Sequence, residues 1–187
     1  MTNIDETANM NENTEKPKRW KPVLEWIITI VVSFTVAMLF HNYVYAQTKV
    51  HNISMQNTLV ENERLVIDKW NYYFKAPKRG NIVIINGPEY DQRIVKRVIG
   101  LPGEQIEIRE GLVFINGNPL DEPYIKGITL ADQSDFKLVV PADKVFVMGD
   151  NREHSIDSRA FGPVAFSSLE GKAVFRIWPI DRIGGLK

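Results

Sequence analysis

Cysteine is absent from the 187 residues, so the chain has no disulfide framework, no thiol nucleophile and no cysteine-based metal site. That absence leaves the redox compartment open and is compatible with an exported domain. An excess of either charge is absent too, with Lys+Arg and Asp+Glu at 23 each. This excludes the one-sided basic field with which nucleic-acid binders neutralise phosphates, and no nucleic-acid partner is expected. Beyond residue 49 there is no internal repeat, no low-complexity segment and no pattern that suits a helix of three turns. What remains is a chain with 44% hydrophobic residues, enough for the core of one ordinary domain with short appendages.

The appendages come first. Residues 1–15 are polar and acidic (Asp5, Glu6, Glu12, Glu15) and are expected to form a disordered tail. Lys16, Lys18, Arg19 and Lys21 follow, and Trp26 to Thr48 is then an uncharged run of 23 residues rich in Ile, Val, Leu and Phe. A membrane helix needs about 20. Pro22 suits the first turn of such a helix, and Trp20, Trp26, Tyr43 and Tyr45 stand where interfacial aromatic belts form. The basic residues precede the span, whereas Lys49 is the only Lys or Arg from 27 to 63. The positive-inside rule therefore predicts a single-pass membrane protein with a cytoplasmic N-terminus and the rest of the chain outside the cell. Val44-Tyr45-Ala46 loosely fits the cleavage site of a secretory signal, but the apolar run exceeds the roughly 7–15 residues of a signal core. The expected layout is a cytoplasmic tail with a basic cluster over 1–21, an uncleaved anchor over 22–46 in the lipid bilayer, and one extracytoplasmic domain over 47–187.

That domain reads as mainly β. Short apolar runs at 65–67, 82–85, 94–99, 106–108, 113–115, 138–140, 145–147 and 173–178 are separated by Gly, Pro, Asn and Asp, which predicts antiparallel sheets in one compact unit. Glu110-Gly111 between two alternating runs predicts a hairpin, and Asn116-Gly117 predicts a second tight turn after it. Residues 121–137 show no period and are expected to form a long surface loop.

Three segments carry chemistry. The first is Asn52-Ile53-Ser54-Met55-Gln56-Asn57-Thr58-Leu59, where a serine in a polar loop on its own reads as structural. The second runs Arg93-Ile94-Val95-Lys96-Arg97-Val98-Ile99-Gly100-Leu101-Pro102-Gly103-Glu104. If 93–99 is a strand, Ile94, Lys96 and Val98 share one face and Arg93, Val95, Arg97 and Ile99 the other. Lys96 then either lays its stem over apolar surface with its ammonium in water, or is buried with a lowered pKa. At pH 7 a lysine with the ordinary pKa costs about 4.6 kcal/mol to deprotonate, and one near 8 costs about 1.4. A buried lysine of the second kind can activate a serine hydroxyl. The third segment, Gly149 to Gly162, is polar and follows an apolar strand. It reads either as a functional loop or as a solvated turn with an Asp157–Arg159 ion pair.

Together these segments resemble the type I signal peptidases, membrane serine proteases whose motifs are Ser-Met-x-Pro-Thr-Leu, Lys-Arg-Val-Ile-Gly-Leu-Pro-Gly-Glu and Gly-Asp-Asn-Arg-x-x-Ser-x-Asp-Ser-Arg-x-Phe-Gly. Arg79-Gly80-Asn81-Ile82-Val83 is similar to a fourth family strand, and Trp178 to Gly184 to the usual ending. The resemblance implies that Ser54 is the nucleophile and Lys96 the general base, with Ser155 orienting the lysine amine and Asp157 and Arg159 bracing that loop. It implies that Met55 lines the substrate pocket and that the Ser54 amide forms one half of an oxyanion hole. The second donor is then expected near Asn52, which otherwise shapes the turn. The implied substrates are secretory preproteins, cut after the apolar core of a signal peptide with small residues such as Ala one and three positions before the cut. No metal and no organic cofactor is implied. The sequence departs from the pattern at Asn57, where the family has proline, at Asn81, where it has aspartate, and at Asn52.

Two other readings compete. His51, His154, Asp150 and Asp157 supply the residue types of a Ser-His-Asp hydrolase, although His51 lies only three residues from Ser54. A non-catalytic relative acting as an assembly or chaperone factor for exported proteins is the other, and loss of Ser54 or Lys96 would mark it. Both residues are present. Finally, nine residues separate Tyr45 from Ser54, at most about 30 Å of extended chain, which is expected to hold the nucleophile near the outer membrane face.

Overall fold

The computed structural model describes residues 20–43, 45–70, 75–87, 92–130 and 136–186. The tail at 1–15 and the basic residues Lys16, Lys18 and Arg19 lie outside them. The chain divides into two compact units at Met38/Leu39.

Helix α1 (Trp20–Tyr43), 24 residues or about 36 Å at 1.5 Å per residue, supplies the first unit with its residues up to Met38. Its stretch from Trp20 to Met38 has a mean hydropathy of 1.6 and exposed side chains, long and apolar enough to cross a membrane. Thr29 and Thr35 donate their hydroxyls to the carbonyls of Glu25 and Val31 at 2.8 Å, so neither leaves a polar group unsatisfied. The helix stops at Tyr43 and strand β1 (Tyr45–Lys49) begins almost at once, taking in Tyr45 and Ala46, which the hydropathy pattern assigns to the anchor. The physical reason is pairing. β1 runs antiparallel to β2 (Arg64–Asp68) with Ala46 opposite Ile67 and Thr48 opposite Leu65, and hydropathy alone does not register a ladder.

The second unit is mainly β and antiparallel throughout its named strands. Its larger sheet adds β3 (Ile82–Ile85), β4 (Ile94–Gly100), β9 (Lys144–Met148), β10 (Val164–Ala165) and β11 (Leu169–Trp178) in the order β1-β2-β11-β3-β4-β9-β10, with β12 (Gly184–Gly185) paired to β11. The smaller sheet has the order β7 (Asn118–Pro119), β6 (Leu112–Ile115), β5 (Gln105–Arg109), β8 (Phe136–Val139). The expected hairpin is β5–β6. Its turn residues Glu110 and Gly111 have φ of 55° and 78°, and Asn116 and Gly117, with φ of 52° and 82°, make the second turn.

Strand β4 is covered on both faces. Ile94 and Val98 pack into one apolar cluster with Val83, Ile85, Val145 and Val147, while Val95 and Ile99 belong to two others. The alternation inferred from sequence is therefore present, yet neither face meets solvent at its centre. Residues 121–130 form an irregular and mostly exposed loop, as the sequence suggests, with 131–135 outside the described residues and β8 beginning at Phe136, but the loop is tied down at several points. Thr129 is buried, Glu122 pairs with Arg152, and Lys126 bridges to Asn151. The segment lacks a period because long-range polar ties hold it, not a repeating apolar face.

Candidate active site

Ser54 sits in the middle of a 3₁₀ turn, Ile53–Met55, entered through Asn52 in extended backbone (φ −118°, ψ 155°). The turn is closed by Gln56 N–H to the Ile53 carbonyl at 3.1 Å and Leu59 N–H to the Met55 carbonyl at 2.8 Å. Met55 and Leu59 anchor it, both buried in the cluster that contains Val50, Leu65 and Ile67. Met55 is only 1% exposed, so it is first a core residue, and it also borders a groove of about 400 Å³ beside Ser54, together with Val50 and Val95.

Lys96 lies at the centre of β4, opposite Val83 of β3, and is 3% exposed. Its Nζ donates to Ser155 Oγ at 2.9 Å, and Ser155 Oγ donates to Asp157 Oδ2 at 2.7 Å. Burial pulls the Lys96 pKa from 10.5 down to about 8. The Asp157 carboxylate pulls it back up, Arg159 pushes it down and Asp150 up, each by less than burial does.

Asp157 is held from several sides. It caps the short helix α2 (Ser158–Phe161), accepts the Gly149 N–H at 2.9 Å, and accepts Arg159 Nε at 2.8 Å and Nη2 at 2.9 Å. Burial alone pushes its carboxyl up, but the hydrogen bond and charge of Arg159, with the Gly149 amide and Ser155 hydroxyl, outweigh that and hold it below the usual range. Arg159 also donates to the carbonyls of Arg152 and Leu130, at 2.7 and 2.8 Å, which fastens the loop to the 121–130 segment.

The three segments are tied to one another by bonds that the sequence pattern does not reveal. Arg97, next to Lys96 in the strand, makes a buried two-pronged ion pair with Asp150 at 2.8 and 2.7 Å and donates to Thr58 Oγ1 at 3.2 Å. Its guanidinium stacks 4.0 Å from the centre of the Tyr124 ring. Asn151 donates its backbone N–H to the Ser54 carbonyl at 3.0 Å and its side-chain amide to the Ile53 carbonyl at 3.1 Å. Gly149 has no room for a side chain, since a Cβ there would lie 2.5 Å from the Ser54 carbonyl and collide with the Ser155 hydroxyl. Arg97, Thr58, Gly149 and Asp150 all stand inside the three motifs, and a charge buried between two apolar strand positions was the available signal.

Ser54 and Lys96 line one cleft of about 660 Å³. Asn52, exposed and without a capping hydrogen bond, lines both this cleft and the 400 Å³ groove. His51 and His154 also stand on the cleft wall, but the Asp150 and Asp157 carboxylates are engaged with Arg97, Thr58, Arg159, Ser155 and Gly149. No carboxylate–histidine pair is formed among the described residues. Of the departures, Asn57 donates weakly to the Ile125 carbonyl at 3.4 Å, and Asn81 Oδ1 accepts the Lys78 N–H at 3.1 Å within a turn. Chemically, the cleft offers a serine hydroxyl and, in the same wall, an amine that is partly neutral near pH 7.

The sequence pattern of the family described as signal peptidase, peptidase S26, matches residues 23–178. A signal peptidase I of Leptolyngbya laminosa is 38% identical over 91% of this chain and 87% of its own length. Signal peptidase I P of Bacillus subtilis subsp. natto is 39% identical over 89% and 94%. A solved signal peptidase I from Enterococcus faecalis is 38% identical, with a TM-score of 0.45 over 52% of this chain and 97% of the other. With the family pattern spanning most of the sequence and relatives matching it nearly end to end, the chain belongs to the signal peptidase I family, peptidase S26, hydrolases that remove signal peptides.

Proposed function

We propose that the chain is a membrane-anchored serine endopeptidase in which Ser54 attacks the peptide bond and Lys96 is the general base, acting on secretory preproteins after small residues one and three positions before the cut. The observation that carries this reading is the state of Lys96: buried, with a pKa of about 8, in the cleft that also contains Ser54. At pH 7 about one amine in ten is then neutral, some two orders of magnitude more than at the ordinary value.

The steps follow from the groups available. As Ser54 Oγ bonds to the carbonyl carbon, its proton passes to Lys96 Nζ. Ser155, committed to Asp157 as a donor, accepts from Lys96 and orients it. Arg159 holds Asp157. The negative oxygen of the tetrahedral intermediate takes the Ser54 N–H and the Asn52 side-chain amide as donors. When the C–N bond breaks, nitrogen keeps the electron pair and recovers the proton from Lys96, and water later releases the acyl group by the same base. Met55, Val50 and Val95 border the groove for the residues before the cut.

In this reading α1 is the membrane anchor, with 1–21 cytoplasmic and 47–187 outside. The four basic residues at 16–21, on the N-terminal side of the span, support that orientation. External protease on intact cells is expected to digest the catalytic domain and spare the N-terminal tail.

The test of the chemistry uses the full chain in lipid vesicles with a purified preprotein. Wild type is expected to yield one new N-terminus after an Ala-x-Ala sequence. Ser54→Ala and Lys96→Ala, folded by circular dichroism, are expected to lose at least about 10³ in rate. Cleavage retained by folded Lys96→Ala but lost in His51→Ala would transfer the base role to histidine.

A further inference from the structure

Ser54 stands where two arms of the cleft meet. One arm is the groove bordered by Val50, Met55 and Val95, and Lys96 is not part of its wall. The other, about 660 Å³, has Lys96 in its wall together with Ile94, His154, Ile156 and Phe161. This asymmetry assigns the arms once the serine–lysine reading of the preceding section is granted, on which the inference rests. Lys96 acts twice in acylation, taking the Ser54 proton and then protonating the leaving amine. That amine is the backbone nitrogen of the first residue after the cut. For the transfer it must lie within hydrogen-bond reach of Nζ, about 2.6–3.2 Å. An extended chain passing Ser54 therefore leaves on the side where Lys96 forms the wall.

We infer that the arm lined by Ile94, His154, Ile156 and Phe161 binds the first residues of the segment after the cut, and that Ile156 and Phe161 contact their side chains. Ile156 is 78% exposed and Phe161 37% exposed, so both offer apolar surface to a chain lying in the arm. Both project from the loop that Asp157 and Arg159 hold rigid around Ser155. Apolar side chains on a well-braced loop beside a buried amine suit a binding wall: a peptide laid over them buries apolar area and shields Lys96 from water, which favours its neutral form. The arm has no carboxylate in its lining, and its titratable side chains are His51, His154 and Lys96, so a lysine introduced at Ile156 meets no acidic side chain in that wall and acts on the departing segment.

The experiment compares two preproteins identical up to the cut, one with two aspartates and one with two lysines at the first two positions after it. A second pair carries the same substitutions four and five positions before the cut. The full chain in vesicles is assayed as wild type, Ile156→Lys and Ile156→Glu, the exposed position making both changes compatible with folding. The ratio of kcat/KM, acidic over basic substrate, is expected to rise about tenfold in Ile156→Lys and fall about tenfold in Ile156→Glu for the first pair, and to move less than twofold for the second. An unchanged ratio for the first pair in both variants, or a shift that follows the charges before the cut, overturns the assignment. If wild type cuts none of the four, the peptidase reading itself fails, and the inference with it.

Discussion

Lys96 Nζ donates to Ser155 Oγ at 2.9 Å, and because Ser155 gives its own hydrogen to Asp157 at 2.7 Å, the direction of this chain of hydrogen bonds is fixed. Asp157 stays ionised under the hold of Arg159 and can only accept. A neutral Lys96 thus spends a hydrogen on Ser155 and keeps its lone pair available, as the proposed transfer of the Ser54 proton requires.

The first prediction is a pH profile. Burial places the Lys96 pKa at about 8, and in the proposed mechanism the neutral amine is the active form. kcat/KM is expected to rise about tenfold per pH unit up to pH 8 and to level off above it. Ser155→Ala, which loses the orienting acceptor, should lower kcat by more than it raises KM. An optimum near pH 5 is incompatible with a lysine base.

The second concerns stability. The folded-state pKa of about 8 lies below the unfolded 10.5, so between these values the unfolded chain binds more protons and stability rises with pH. Below pH 8 the whole cost of the buried ammonium is present, up to about 3 kcal/mol. Lys96→Met removes it and also loses one hydrogen bond worth about 1 kcal/mol. Urea denaturation of the full chain in detergent should find this variant inactive, more stable than wild type by about 1–2 kcal/mol at pH 7, and with that advantage vanishing towards pH 10.5. Equal stability at pH 7 would mean that water reaches the amine.

Much of this was legible in the sequence, for a physical reason. Alternation in 94–99 and turn pairs such as Glu110-Gly111 are local signals, and they gave β4, the β5–β6 hairpin and the apolar neighbours of Lys96. Arg97 was not legible as a brace. Its partner Asp150 lies 53 positions away, and alternation cannot tell a face that meets solvent from one that meets another layer. The ties of the 121–130 loop were hidden for the same reason, since Glu122 and Lys126 are held by Arg152 and Asn151. The Asp157–Arg159 pair was visible as an ion pair in a turn and, through the family resemblance, as a brace of the loop, but its hold on the Gly149 amide was not.

Gly149 yields a third prediction. A methyl group there would press on the Ser54 carbonyl and the Ser155 hydroxyl together, the two sides of the proposed proton path. Gly149→Ala is expected to destabilise the chain by about 1–3 kcal/mol. It should also lower kcat by at least about 10²-fold, because a displacement near 1 Å in such a site has that effect. Melting and precursor cleavage on the same sample would separate the two. A variant that melts lower yet cleaves at the wild-type rate would show that Ser54 and Ser155 need not stay so close.

Asn52 supplies the last prediction. The sequence left two roles for it, shaping the turn through unusual backbone angles or donating to the developing oxyanion. Its φ of −118° and ψ of 155° are ordinary extended backbone that any residue adopts, so the first role has no basis here. Its side chain caps nothing and lines both arms of the cleft at Ser54. An amide donor two residues before the nucleophile suits an oxygen whose other donor is the Ser54 N–H. Asn52→Ala is therefore expected to lower kcat about 10²–10³-fold with little change in KM, the scale of losing one such donor. Asn52→Ser keeps a hydroxyl donor and should retain much of the rate. Asn52→Asp is close to isosteric but offers a negative charge in place of the donor, and it should be as slow as the alanine variant or slower. Steady-state kinetics on one precursor ranks the three. If Asn52→Gly cleaves as fast as wild type, the side chain donates nothing and the second donor is a different group.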